Sequence, residues 1–373
     1  MPALPHTYWH HRRSQKDKLE ILQPMIDLSI IIASYNTRLL LLQCIESIHR
    51  HTKGITFEVI CIDGNSPDQS AKAVADQFPN TTLIRNERNE SYARSVNQGL
   101  AICRGRYACL LDSDTLLIEN SFRLLVEYMD SHSDAAACGP KLLNPDGSVQ
   151  HHIRHFAGLG TFALQTLNWH KIFPNSQLMS KYYATAFDFS LMQQVEAIGT
   201  TAFVMRRSTW ESAGLLDENF RWAVVDLAYE YSLNKRGCRI FYTPCTAMIH
   251  FGSQTANQDV LGRLREQADA LIYFADKYDY FGEGTIIKML VRFGVRARYY
   301  SKIIGFYLGS DKRIIKGPGR PSKEQALHFS SRMGGGNLAS DTRDSRFISS
   351  SGDAKAELKT RSSSPGMSRQ ERL

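Results

Sequence analysis

Between residues 28 and 112 the sequence changes period again and again, from short apolar, β-branched runs to helically spaced segments, and this limits the folds open to it. Leu28-Ser-Ile-Ile-Ile-Ala33 has the length and branching of a buried strand, Leu39 to Arg50 carries apolar residues three and four apart, and Glu58-Val-Ile-Cys-Ile-Asp63 is a second strand. Gln69 to Phe78 then reads as helix, Thr82 to Arg85 as strand, Tyr92 to Cys103 as helix and Tyr107 to Asp112 as the fourth strand. Strands that alternate with helices are joined by crossovers, which return the chain to a parallel neighbour. The expected fold is α/β, with a mostly parallel central sheet flanked by helices. Ligands of such sheets bind outside the carboxyl ends of the strands. The polar residues there become the candidates: Ser34-Tyr35-Asn36, Asp63-Gly-Asn65-Ser66 and Asp112-Ser113-Asp114.

The second half is less regular. Gly139-Pro-Lys-Leu-Leu-Asn-Pro-Asp-Gly147 is punctuated by turn residues, and no element can be assigned from there to about residue 190. Strand signals return at Val195 to Met205 and Cys238 to Ile249, around a helical stretch from Val224 to Arg236. The organisation expected is a polar extension over 1–26, one domain over 27–282, a basic amphipathic helical segment over 283–309 and a disordered basic tail over 310–373. The 43% of hydrophobic residues supplies a sizeable core, and the net charge of +8 points to an anionic partner.

Lys288, Arg292, Arg296, Arg298 and Lys302 lie among apolar residues, the composition of an interfacial helix on an anionic membrane; a solvated basic helix is the alternative. No nucleic-acid-reading motif accompanies the charge, so nucleic acid is not an expected partner. The seven cysteines are scattered, odd in number and free of CxxC spacing, which argues against a disulfide framework or a zinc site. With no signal-peptide pattern and no long apolar stretch, a cytoplasmic location is expected, peripheral on the cytoplasmic face of the inner membrane.

Asp112 and Asp114, two residues apart at a strand end, suit Mg²⁺ or Mn²⁺, which share their shell between carboxylates and substrate phosphates. The bland alternative is a solvated loop. A carboxylate at Asp63 can accept a hydrogen bond from the imide N–H of uracil or thymine, while Asp68 reads as a helix cap. Arg94, at the start of a helix, can face a phosphate or be an ordinary surface cation. Asn97 lies on a small and apolar helical face, so it should point inward, to the ligand or to a backbone carbonyl.

Taken in order, Leu28 to Asn36, Val59 to Ser66, Ala93 to Asn97 with Gly99, Asp112-Ser-Asp114, Gly139 to Ser148 and Ala213-Gly-Leu-Leu-Asp-Glu-Asn-Phe220 resemble glycosyltransferase family 2, particularly its rhamnosyltransferase-like bacterial members. The resemblance covers about residues 28 to 280. It implies a GT-A fold, the Rossmann-like nucleotide-diphospho-sugar transferase architecture, with a nucleotide-sugar-binding half over 27–115 and an acceptor half over 116–282. It also implies a nucleotide-diphosphate sugar as donor, a divalent metal, and inversion at the anomeric carbon. Ser34, Tyr35, Asn36, Asp63, Arg94, Asn97 and Asp112 fall on the donor side, and Asp112, Asp114 and His250 of the His250-Phe-Gly-Ser253 segment fall on the metal side.

Where the family usually carries Glu-Asp-x-Asp, with its first Asp as general base, this chain has Val225-Asp226-Leu227-Ala228, so Asp226 is the expected base. The expected activity is transfer of one sugar, with dTDP-rhamnose as the donor suggested by the resemblance. The acceptor would be a glycan or lipid-linked sugar in cell-surface polysaccharide synthesis. Two alternatives stay open: a catalytically impaired, membrane-associated relative that binds nucleotide sugar, and a nucleotidyltransferase. The second would want a glycine-rich phosphate loop after the first strand, and Ser34-Tyr-Asn-Thr37 lacks the glycines.

Overall fold

Apolar, β-branched runs that are buried on both faces pair in parallel when helices cover them, and the first half of the chain follows that rule. The computed structural model describes residues 26–166, 177–252 and 260–308; the expectations for the polar extension, the tail and Ser253 lie outside the described residues. Strands β1 (Leu28–Ser34), β2 (Phe57–Asp63), β3 (Thr82–Arg85) and β4 (Tyr107–Asp112) alternate with helices α1 (Arg38–His51), α2 (Ser70–Gln77) and α3 (Tyr92–Ile102). Each lies within one residue of its expected ends. The chain continues through β5 (Thr115–Leu117), α4 (Ser121–Ser131), β6 (Ala135–Leu143), α5 (Leu159–Thr166), α6 (Gln177–Tyr182), β7 (Gln193–Val195), β8 (Ala202–Arg206), α7 (Arg207–Ala213), α8 (Val225–Lys235), β9 (Arg239–His250), α9 (Val260–Lys277) and α10 (Thr285–Tyr307).

All pair into one sheet in the order β3-β2-β1-β4-β8-β6-β9-β5, with β7 added to β9. The first four strands are parallel. Beyond them the sheet is mixed: β8 runs antiparallel to β4 and β6, β6 is parallel to β9, and β5 and β7 are antiparallel to β9. The single strand expected from Val195 to Met205 is broken in two, because Gly199 takes φ 76° and turns the chain between β7 and β8.

Alternation along β1 builds two core layers. Ile30 and Ile32 pack with Leu41, Ile45 and Phe122 on one face, and Ile31 packs with Ile62, Val96, Phe203 and Tyr229 on the other. Helix α3 approaches β1 through Gly99, where a Cβ would come 2.5 Å from Ile31 Cγ2. Helices α9 and α10 pair through Ala268, Ala275, Val291 and Val295. The basic residues of α10 do not all face solvent: Arg292 reaches Asp276 at 3.0 Å, Arg296 reaches Asp269 at 2.8 Å, and Lys288 pairs with Asp279. Among the described residues no helix is long and apolar enough to cross a membrane. All seven cysteines are free thiols.

The Gly99 contact leaves no room for a side chain. Gly99→Val is expected to cost about 1–3 kcal/mol through overpacking, read as a melting temperature several degrees lower; an unchanged melting temperature would show that α3 can slide away from β1.

Candidate active site

Register brings the suspects level. Ser34 pairs with Asp63, Asp63 with Arg85, and Ala33 with Asp112, so the carboxyl ends of β3, β2, β1 and β4 finish together. Asp63 is 3% exposed. Its Oδ2 accepts a hydrogen bond from the Ser66 amide at 3.0 Å, while its Oδ1 is buried with no hydrogen-bond partner among the described residues. A buried carboxylate oxygen without a donor is costly.

The turns around Asp63 are closely tied. The Gly64 amide donates to the Ser34 carbonyl at 2.9 Å, and the amide of Asn36, held at φ 55°, donates to Ser66 Oγ at 3.0 Å. A Cβ on Gly64 would lie 3.5 Å from the Tyr35 ring and 3.1 Å from Asn89 Oδ1, which puts Tyr35 beside Gly64, the residue after Asp63. The Ser34 hydroxyl belongs to a chain, Ser34 to Thr37 to Ser113, with both links at 3.0 Å, that fastens β1 to the Asp112–Asp114 turn. Asp68 bridges two helix starts, accepting from the Ser70 amide at 3.0 Å and from the Arg38 amide at 2.8 Å.

Arg94 sits in the first turn of α3, and its amide is capped by Ser91 Oγ at 3.1 Å. Its side chain lines a cavity of about 370 Å³ with Arg88, Asn89, Glu90, Glu218 and Arg221. Asn97 takes the second of its two expected destinations. Its Nδ2 donates to the Leu216 carbonyl at 2.9 Å and its Oδ1 accepts from the Leu216 amide at 3.0 Å, so the side chain is spent on holding the Ala213–Phe220 segment rather than turned to a ligand.

A set of three potential metal ligands lies at the end of β4. Pairing of β5 with β9 sets Thr115 opposite His250, which delivers the histidine to the Asp112–Asp114 turn. His250 Nε2 is 3.3 Å from Asp114 Oδ1 and 3.6 Å from Asp112 Oδ2, and the donor atoms of the three residues all lie within 4.8 Å of one another. His250 Nδ1 bonds Gln150 Oε1 at 2.7 Å. With Nδ1 donating to that oxygen, Nε2 is left to face the carboxylates, as in histidines that bind metal through one nitrogen and are oriented through the other. Gln150 is itself held: its Nε2 donates to Asn144 Oδ1 at 3.0 Å, from the Asp-Gly turn that follows β6. Two carboxylates and an imidazole are a donor set that fits Mn²⁺ or Mg²⁺.

Electrostatics agrees with that fit. Burial, together with the neighbouring charge of Asp114, pushes Asp112 up to about 6, against the opposing pull of His250 and a 3.0 Å hydrogen bond from the Thr201 hydroxyl. Burial alone would lower His250, but the hydrogen bond and charge of Asp114, then the charge of Asp112, outweigh it and raise its pKa. The site gathers negative charge that calls for a cation.

Asp226 stands across from this set, in the first turn of α8. Val224 before it is held at φ 65°, a conformation costly for a β-branched residue and found mainly where function demands it. Asp226 Oδ2 is 3.7 Å from where a Cβ of Gly199 would stand, and its Oδ1 accepts from the Leu227 amide at 2.8 Å. Burial raises its pKa, opposed by that amide and by Arg154. The charge of Asp226 acts on Asp112, and both carboxylates act on the Tyr92 hydroxyl, whose pKa burial and these charges raise well above the ordinary value. Tyr92 donates to Thr200 Oγ1 at 3.1 Å, and Glu230 Oε1 accepts from the Ile198 and Gly199 amides at 2.8 Å each.

Gln150, Tyr92, Thr201 and Glu230 escaped the sequence reading. The one signal for Glu230 is its place four residues after Asp226 on the same helical face; for Gln150 it is the Asp-Gly turn just before it.

A carboxylate pair at the end of a parallel strand lies where α/β sheets bind their ligands, and comparison with known proteins shows what the chain is similar to. The model of the Glycosyl transferase family 2 matches residues 29–211. The chain is 24% identical over 235 residues to the O-antigen biosynthesis protein RfbC of Myxococcus xanthus, covering 62% of this chain and 18% of that one. It is 33% identical over 112 residues to the minor teichoic acid biosynthesis protein GgaB of Bacillus subtilis (strain 168), covering 29% of this chain and 12% of that one. It is 23% identical over 235 residues to the N-acetylglucosaminyl-diphospho-decaprenol L-rhamnosyltransferase of Mycobacterium tuberculosis (strain ATCC 25618 / H37Rv), covering 59% and 75%.

Residues 29–211, just under half of the chain, thus resemble glycosyltransferase family 2, within a mixed sheet flanked by helices. The chain spans less than a fifth of the length of RfbC and GgaB. Among solved structures, GalNAc-T7 with UDP, GalNAc and Mn²⁺ aligns with 78% of this chain and 58% of that one, at 15% identity and a TM-score of 0.47. S. aureus TarS 1–349 in complex with UDP aligns with 76% of this chain and 75% of that one, at 17% identity and a TM-score of 0.44.

If Gln150 orients His250, Gln150→Leu should weaken Mn²⁺ binding about 10- to 100-fold while the nucleotide affinity measured in chelator stays the same. Unaltered Mn²⁺ affinity by isothermal titration would remove Gln150 from the site.

Proposed function

We propose that this chain transfers one sugar from a nucleotide-diphosphate sugar to a glycan or lipid-linked acceptor, with inversion at the anomeric carbon, in cell-surface polysaccharide synthesis. The observation that carries the reading is the convergence of Asp112, Asp114, His250 and Asp226 beyond one edge of the sheet. dTDP-rhamnose is the donor we favour, on the resemblance to rhamnosyltransferase-like members and on the mycobacterial relative, whose name is that of a rhamnosyltransferase acting on a diphospho-decaprenol lipid. A lipid-linked acceptor puts the work at the cytoplasmic face of a membrane, with this chain as a peripheral protein.

Asp63 Oδ1 accepts the imide N–H of the base, and Tyr35 and Asn36 wall that end of the pocket. Arg94 faces the phosphates from the start of α3. Asp112, Asp114 and His250 hold the divalent cation, which when bound neutralises charge on the departing diphosphate. Asp226 accepts the proton of the acceptor hydroxyl as its oxygen attacks the anomeric carbon, and the bond from that carbon to the diphosphate oxygen breaks on the opposite side. No covalent intermediate is required.

The acids missing around Asp226 do not empty the site. Val225 and Ala228, which replace them, are each 2% exposed and packed in the core, so those positions do not face the acceptor.

Asp226→Asn is expected to retain nucleotide-sugar binding and to lose transfer by about 10²- to 10⁴-fold, the usual contribution of a general base. Because burial raises the Asp226 pKa and the base works only when ionised, wild-type transfer should fall as pH is lowered, with a midpoint above the ordinary carboxylate range. A fully active Asp226→Asn would move the base elsewhere, and a wild-type protein that binds the donor without transferring or hydrolysing it would favour the impaired relative.

A further inference from the structure

Helix α10 keeps one face buried and leaves the other bare. Val291 and Val295 pack against Ala268 and Ala275 of α9, whereas Ile286, Met289, Leu290, Phe293, Tyr300 and Ile304 are between 57% and 73% exposed. Their spacing of three and four residues places them in one stripe roughly 100° wide, which runs the length of a 23-residue helix. Single exposed apolar residues need no explanation, but a continuous apolar face marks a docking surface.

The charged residues of the helix itself are all cations, three of them paired to acids outside it. Residues 285–307 contain Lys288, Arg292, Arg296, Arg298 and Lys302 and no acidic residue. Arg292 and Arg296, on the flank, are half exposed while paired to Asp276 and Asp269 of α9, so they hold the helix pair together and still present cationic edges. The sequence beyond the described residues continues with Lys312, Arg313, Lys316 and Arg320 against the single Asp311. An apolar helical face joined to a basic segment supplies the two signals that stable attachment to a membrane surface takes, and each cation near an anionic leaflet adds about 1 kcal/mol. Tyr300 is a residue type suited to the headgroup boundary. Packing the stripe on a second copy would set these same cations against each other.

We propose that α10 lies in the interface of an anionic lipid bilayer, with the Ile286–Ile304 stripe inserted below the headgroups and the flanking Arg292 and Arg296 among them. This rests on the reading of a lipid-linked acceptor made at the membrane, for which it supplies the surface.

The test uses the full chain and sedimentation with phosphatidylcholine vesicles, with and without phosphatidylglycerol. Binding is expected to vesicles containing phosphatidylglycerol, to weaken in high salt, and to fall about tenfold or more in Leu290→Glu/Phe293→Glu, which removes two apolar side chains from the bilayer. Both positions are solvent-exposed, and unchanged nucleotide affinity of the double variant shows the fold intact. Three results would overturn the proposal: no binding to anionic vesicles, binding indifferent to the double substitution, or a wild-type dimer that the substitution dissociates without any vesicle binding. Vesicle binding without transfer to a lipid-linked acceptor would leave this surface standing and sink the acceptor reading; transfer without vesicle binding would do the reverse.

Discussion

Two carboxylates crowded at the end of β4, one buried and one partly exposed, set the terms for everything around them. Burial first, and then the charge of Asp114, raise the pKa of Asp112 to about 6 against the pull of His250. Without a cation, ionising Asp112 costs stability that appears as pH rises from the ordinary carboxylate range towards 6. His250 offsets part of the repulsion, which is why its own pKa rises in spite of burial. A divalent ion held by Asp112, Asp114 and His250 would answer the same need more completely and would supply a counter-charge for substrate phosphates.

The frame that makes this arrangement rigid is the parallel register of β2, β1 and β4. Because Asp63 and Asp112 end strands on either side of β1, they stand two strand spacings apart, roughly 10 Å, with the buried Asp63 carboxylate at one end and the Asp112, Asp114 and His250 cluster at the other. The hydroxyl chain from Ser34 through Thr37 to Ser113 ties the strand ends together, and the β9 strand brings His250 in from the far half of the sheet. Asp226 arrives by a third route, from a helix start that passes through a left-handed valine. Three separate stretches of chain thus meet at one edge.

The first half of that design was legible in the sequence because local period alone announces it. Strands four to seven residues long alternate with amphipathic helices, and the polar residues that end them are the site. What stayed hidden was set by distance along the chain. Gln150 gains meaning only when β9 folds beside it with His250, 100 residues later. Glu230 looks like any helical acid until its carboxylate is found under the Gly199 turn. Asn97 was read as pointing inward, but only the fold shows that the Leu216 backbone claims it. The basic residues of α10 were visible, while their pairing with α9 and the bare apolar face beside them were not.

The central claim is that one cation, held at Asp112, Asp114 and His250, grips the diphosphate of a nucleotide whose base is held at Asp63. Titrating UDP and dTDP into the wild-type chain and into Asp112→Ala, each in Mn²⁺ and in chelator, tests it most directly. The account predicts that Mn²⁺ tightens nucleotide binding in the wild type and that Asp112→Ala keeps only the affinity seen in chelator. Equal affinity with and without the metal in the wild type would contradict it.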